Sequence, residues 1–227
     1  MNPLNNLNPI SLLGNSSIGI FAVATSSFAI LPTNTKPRVI DIAKSTLGVP
    51  IVQTPIAGCN LIGLFAIGNS NNLVLPGLTH PNEYNLLEKM LPNNVQIHIL
   101  ESKITALGNS IVASDDVALV HTEFTSDEKK QLADMLDVEI ISHKLLDNPL
   151  VGSMIFRNAN GILTHPLITY EELDWLTDLF KVKADVVTVN RGTPFPRPGL
   201  VGNEKGVLAG SDTTGPELLR IFEILLS

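Results

Sequence analysis

Between residues 62 and 100 the spacing of apolar positions changes three times. Ile62 to Ile67 is a short apolar run, and Gly68-Asn69-Ser70-Asn71-Asn72 follows, rich in residues that tolerate positive φ. Leu73-Val74-Leu75 then reads as a second strand, stopped by Pro76-Gly77, so the two runs predict a hairpin. Pro81 stands where a first helical residue belongs, and Leu86, Leu87, Met90 and Leu91 form one apolar stripe at helical spacing. Beyond Pro92, Val95, Ile97 and Ile99 alternate with Gln96 and His98, the period of a half-buried strand. The segment predicts a β-β-α-β unit.

The same plan returns along the chain. The third unit has Val117-Ala118-Leu119-Val120, Thr125 with Glu128, a Leu132/Met135/Leu136 stripe and Val138 to Ile141. The fourth has Gly161-Ile162-Leu163, Thr169 with Glu172, a stripe from Leu173 to Phe180 and Val186 to Val189. The fifth has Val207-Leu208-Ala209, Thr214 with Glu217 and a stripe ending at Leu225. In the first, Pro37 starts a helix striped by Val39, Ile40, Ile42 and Ala43, and Val49, Ile51 and Val52 supply the last strand. Three of these helices open with Thr-x-x-Glu, a capping box that satisfies orphan amide groups at both ends of the motif.

Apolar-Gly pairs mark the strand-like starts: Ile18-Gly19, Ile62-Gly63, Val151-Gly152 and Val201-Gly202, with Ile111-Val112 as a start lacking the Gly. From Val201 only 27 residues remain, and the first 17 residues supply the shortfall. A last repeat completed by the first segment describes a closed ring, since such units bury a core only against their neighbours. The expected architecture is a single domain, residues 1–227. Its five β-β-α-β repeats are 18–61, 62–110, 111–150, 151–200, and 201–227 completed by 1–17. That is an α/β propeller closed by pairing of its two terminal segments. Four helix-free strands per blade would be needed for a WD-type propeller, and eight units for a TIM barrel.

Composition narrows the function classes. A formal net charge of −7 gains nothing from the counterion release that drives binding to bare nucleic acid, so DNA is not an expected partner. A nucleoprotein would be met through its basic protein part. The first charge is Lys36, but no basic segment precedes the apolar stretch, and turns break it, so neither a targeting peptide nor a membrane span is expected. The single Cys59 excludes an internal disulfide framework and fits the reducing cytoplasm.

Candidate chemistry is sparse. Cys59 lies in the turn Ala57-Gly58-Cys59-Asn60 without a local activating base, which favours a packing role over a nucleophile. His80, His121 and His165 occupy equivalent places around the ring, too far apart for one metal ion. No phosphate-binding glycine loop occurs, so no cofactor is expected. What stands out is a set of polar turns at the repeat junctions, carrying Asn15, Asn60, Asn109 and Asn148. These form a neutral candidate binding face, although Asn also favours turns for local reasons.

The words of the chain resemble a known family. Ile56-Ala57-Gly58-Cys59 leading into Ile62-Gly63, Ala106-Leu107-Gly108-Asn109, Val117 to His121, Leu150-Val151-Gly152-Ser153, Thr188 to Gly192, and Asp212-Thr213-Thr214 with Glu217-Leu218 are similar to archaeal translation initiation factor six and its eukaryotic counterpart. The resemblance implies the pentein fold and a non-enzymatic role. It implies binding to the large ribosomal subunit on its intersubunit face, mainly through a ribosomal protein, and a steric block to small-subunit joining, with a part in subunit maturation. It places Asn109 at the contact and puts Leu64 where eukaryotic members carry a basic residue. A monomer, removed by an external release factor, is expected. Eukaryotic members carry a C-terminal tail, and an end at Ser227 reads as archaeal. The rival within the same fold is a guanidino-modifying thiol enzyme, a deiminase or amidinotransferase. Those enzymes hold their Cys near the C-terminus, whereas no Cys follows Cys59.

Overall fold

The computed structural model describes residues 6–227; the predicted contribution of residues 1–5 to the closing segment lies outside the described residues. Among the described residues there are five three-stranded sheets, each with its second strand in the middle. The first unit comprises β2 (Val23–Ala24), β3 (Ala29–Leu31), helix α1 (Pro37–Leu47) and β4 (Ile51–Gln53). The second runs through the single turn α2 (Ile62–Phe65), β5 (Ile67–Gly68), β6 (Asn72–Pro76), α3 (Pro81–Met90) and β7 (Gln96–Leu100). The third has α4 (Leu107–Ser110), β8 (Ile111–Ala113), β9 (Val117–Val120), α5 (Ser126–Leu136) and β10 (Glu139–Ser142). The fourth has α6 (Val151–Met154), β11 (Ile155–Arg157), β12 (Gly161–Thr164), α7 (Tyr170–Phe180) and β13 (Lys183–Val186). The fifth has α8 (Pro196–Gly199), β14 (Leu200–Gly202), β15 (Val207–Gly210) and α9 (Gly215–Leu225), and its last strand is β1 (Leu7–Ile10). In every unit the first two strands pair antiparallel and the third joins parallel to the second, after the helix. Leu7 pairs with Val207 and Ile10 with Gly210, which closes the ring between the chain's two end segments.

Burial follows from this order. The second strands are buried along their whole length, because each has a strand on both edges and its faces pack against helices and the neighbouring blades. The third strands are less buried, and in β7, β10 and β13 most residues are half-buried rather than strictly alternating, because these strands lie at the sheet edge. Five apolar clusters fill the spaces between blades and helices, with Leu31, Leu75, Leu119, Leu163 and Ala209 shut from solvent.

Two expectations are corrected. The apolar-Gly pairs do not begin strands. Ile18–Ile20 is a 3-10 turn, and Ile62-Gly63 and Val151-Gly152 lie in the single helical turns α2 and α6. The third and fifth counterparts are Gly108 in α4 and Gly199 in α8, whereas Val201-Gly202 is within β14. The five turns pack in a closed circle, each on the next. The glycine is needed because backbones meet there. A Cβ on Gly63 would collide with the carbonyl oxygen of Gly19, one on Gly108 with that of Gly63, and one on Gly152 with that of Gly108. The second correction concerns Val186 to Val189. The strand is Lys183–Val186, and Val189 already belongs to a tight turn bridged to Thr193.

Two sets of side chains staple the blades at opposite ends of the ring. At the end formed by the β-hairpin turns, Asn69 Nδ2 donates to the carbonyls of Ser114 and Leu136 in the next unit. Asn158 does the same to Asn203 and Leu225, and Asn203 to Thr25 and Leu47 across the ring closure. The shorter Thr25 and Ser114 hold the equivalent places in the first and third units, and their side chains bond only within their own turns. At the other end the capping-box glutamates reach back to the preceding unit. Glu83 accepts from the N–H groups of Ala57 and Gly58, Glu172 from Leu146, and Glu217 from Arg191 and Gly192. Each of these five junctions therefore has a hydrogen-bonded staple at one end or the other.

Candidate functional site

The end of the ring opposite the hairpin turns gathers the inter-unit turns, the glycine circle and the N-termini of the long helices. Its tight turns are built on left-handed backbone. Leu13 and Gly14 have φ of 52° and 80°, Ala57 and Gly58 of 53° and 72°, and Leu146 and Asp147 of 50° and 57°. Two consecutive positive φ values are the mark of a type I′ turn, and a side chain at such a position is strained. The glutamate clamps bind the N–H groups that this strain presents. Glu217 is the most heavily bonded: Thr188 and Thr214 hydroxyls and the N–H groups of Thr214, Arg191 and Gly192 all donate to it at 2.7 to 3.2 Å. Burial by itself raises its pKa, but these donors outweigh burial and hold it below the usual carboxylate range.

The sequence-predicted site residues all lie at this end. Asn15 and Asn148 close two of the tight turns, and their Oδ1 atoms accept the N–H groups of Ser17 and Leu150. Asn60 follows the turn of Cys59 and accepts from the Thr33 hydroxyl at 3.5 Å. Leu64 and Asn109 occupy equivalent positions directly after Gly63 and Gly108 in the glycine circle, and both are half-buried. Asn15, Asn60 and Asn148 thus have a local turn-making role, whereas the Asn109 side chain makes no hydrogen bond among the described residues.

Sequence reasoning missed the apolar part of this end. Leu13, Leu78 and Leu150 are exposed there, and Leu167 and Tyr170 keep 75% and 86% of their surface in solvent. The only sequence signal would have been Leu167 and Tyr170 breaking the polar character expected of a strand-to-helix loop.

The remaining candidates are absorbed by structure. His121 and His165 are buried, and their Nδ1 atoms accept the N–H groups of Glu123 and Leu167. No cluster of potential metal ligands occurs among the described residues. Cys59 is half-buried in its turn, with Sγ 3.5 Å from the carbonyl oxygen of Ile56.

Inside the ring is a cavity of about 380 Å³. The hairpin turns, with Thr25, Asn69, Ser114, Asn158 and Asn203, line its mouth, and Arg197 borders it from the turn that carries Gly199. Neither Cys nor His is among the residues lining it.

The eIF-6 family profile matches residues 7–224. The chain belongs to the eIF-6 family. Translation initiation factor 6 of Pyrobaculum arsenaticum is 37% identical over 217 residues, covering 96% of this chain and 97% of that protein. Eukaryotic translation initiation factor 6 of Tetrahymena thermophila is 34% identical, covering 90% of this chain and 84% of that protein. Among solved structures, a cysteine-to-serine mutant of DDAH from Pseudomonas aeruginosa complexed with citrulline superposes with a TM-score of 0.50 at 14% identity, over 79% of this chain and 71% of that one. That likeness shows the pentein fold alone. The relatives bear the names of translation factors, which does not favour the thiol-enzyme alternative, and Cys59 is not among the residues lining the cavity.

Proposed function

We propose that the chain binds the large ribosomal subunit on its intersubunit face, with the inter-unit-turn end of the ring as the docking surface, and so prevents small-subunit joining. The observation that carries this reading is the make-up of that end in a member of a translation-factor family. Leu64 and Asn109 sit side by side on the glycine circle, rimmed by exposed Leu150, Leu167 and Tyr170. Exposed apolar and neutral polar groups around a rigid centre suit a protein partner, and aromatic anchors supply most of the affinity of such interfaces. An overall charge of −7 favours a basic ribosomal protein as the contact. The ring acts as one five-unit body, a monomer in the cytoplasm, and its removal falls to an external release factor.

The test is co-sedimentation of the purified protein with large subunits, followed by a challenge with small subunits. Stoichiometric pelleting that blocks joining supports the reading, and Asn109→Lys should weaken pelleting without altering the melting temperature. Failure to pellet with subunits from a matched source overturns it.

A further inference from the structure

The cavity inside the ring has Arg197, from one of the turns of the glycine circle, at the docking end. The other end opens between the hairpin turns. A volume of about 380 Å³ is room for about a dozen waters and falls within the range of small-molecule pockets.

Its charges are segregated. Asp115, Asp116 and Glu204 lie in hairpin turns at the mouth, where Lys181 and Arg157 also stand. Asp115 and Asp116 attract Arg157 electrostatically, and the Arg157 guanidinium stacks on Phe180 at 5.5 Å. Asp115 is held by Ser70, and Glu204 by Ser26. The mouth is therefore close to neutral. Arg197, on the glycine-turn side, has no such counterpart. Its one hydrogen bond to the protein runs from Nη1 to the Gly19 carbonyl at 3.2 Å, and no ion pair to it occurs among the described residues. Burial lowers its pKa to about 10, so the group still carries its charge at neutral pH. A second donor lining the same space, Arg157 Nε, is buried without a hydrogen-bond partner. A buried cation without a counterion is costly, and a guanidinium presents a fork that matches two carboxylate oxygens.

We propose that this cavity is a binding site for a small organic monocarboxylate, which enters between the hairpin turns, sets its carboxylate on the free donors of Arg197 and fills the space behind with its body. With the mouth close to neutral, the excess of one positive charge at the inner end calls for a single negative one. The site is on the opposite side of the glycine circle from the proposed ribosome contact, so it does not depend on that reading and is tested on the free factor.

The experiment titrates carboxyl-labelled acetate, butyrate and inorganic phosphate into the free protein at constant ionic strength, read by NMR line broadening. Two variants accompany the wild type. Arg197→Gln removes the charge, and Ala159→Trp obstructs the exposed rim of the mouth without touching Arg197. The expected result is saturable binding with butyrate tighter than acetate and acetate tighter than phosphate, weakened tenfold or more by each variant. If Arg197→Gln does not fold, Ala159→Trp alone decides. Absence of saturable binding, a preference for phosphate, or binding that survives the plugged mouth overturns the proposal.

Discussion

The carboxylate of Glu217 accepts the N–H of Gly192 at 2.9 Å from 25 residues along the chain, while also capping its own helix. One side chain thereby caps α9 and holds the strained turn at Asn190, Arg191 and Gly192, where φ values are 49°, 63° and 97°. Glu217→Ala removes the cap and leaves two backbone donors of a positive-φ turn unpaired. The expected loss is about 2–4 kcal/mol, read as a drop in the denaturant midpoint. A change under about 0.5 kcal/mol would show that the clamp is incidental.

The same group predicts an acid response. Its folded pKa is depressed below the ordinary 4.5, so the unfolded chain takes up the proton first as pH falls. Its contribution is present above pH 4.5 and disappears as pH falls through the lower folded value. Wild-type stability should therefore fall more steeply below pH 4.5 than that of Glu217→Gln. Parallel curves for the two proteins would contradict this.

The glycine circle predicts a contrast between two Gly→Ala changes. At Gly63 the added methyl meets the backbone of Gly19 and Ala22, which have no room to move inside a closed ring. A cost of about 3 kcal/mol or failure to fold is expected. At Gly14 nothing lies within 4 Å, and only the positive φ of 80° opposes a side chain, so about 1 kcal/mol is expected. Thermal unfolding of both variants checks the order.

The two sets of staples predict which asparagine matters most. Asn203 joins the fifth unit to the first, where Val39 stands at the helix position that elsewhere carries the clamping glutamate. Asn69 serves a junction where Glu128 also forms a capping box, and the Ser102 side chain of the preceding unit helps to lower its pKa. Asn203→Ala should therefore cost more than Asn69→Ala, by about 1 kcal/mol, in urea unfolding.

The docking end predicts a separation of stability from binding. Leu167→Glu, at a position 75% exposed, should change stability by less than about 0.5 kcal/mol and weaken pelleting with large subunits. Unchanged pelleting would move the contact away from this rim.

The hydrophobic periods, the Thr-x-x-Glu caps and the count of units were all legible along the chain. They are local: strand alternation, helical stripes and capping boxes are decided within about ten residues. Closure of the ring through the first segment was also readable, because only 27 residues remain from Val201 and the first 17 supply the shortfall. The role of the apolar-Gly pairs was not. A glycine beside an Ile looks alike in a strand and in a helical turn, and only the packing of five such turns around one axis shows why Gly19, Gly63 and Gly108 can carry no Cβ. The partners of Glu83, Glu172 and Glu217 were likewise hidden, since each clamp spans 25 or 26 residues and depends on which turn the ring brings beside the helix. The isolation of Arg197 at the inner end of the cavity was decided the same way. Sequence fixes what each segment can form, while burial and the identity of a distant partner come into being only when the ring closes.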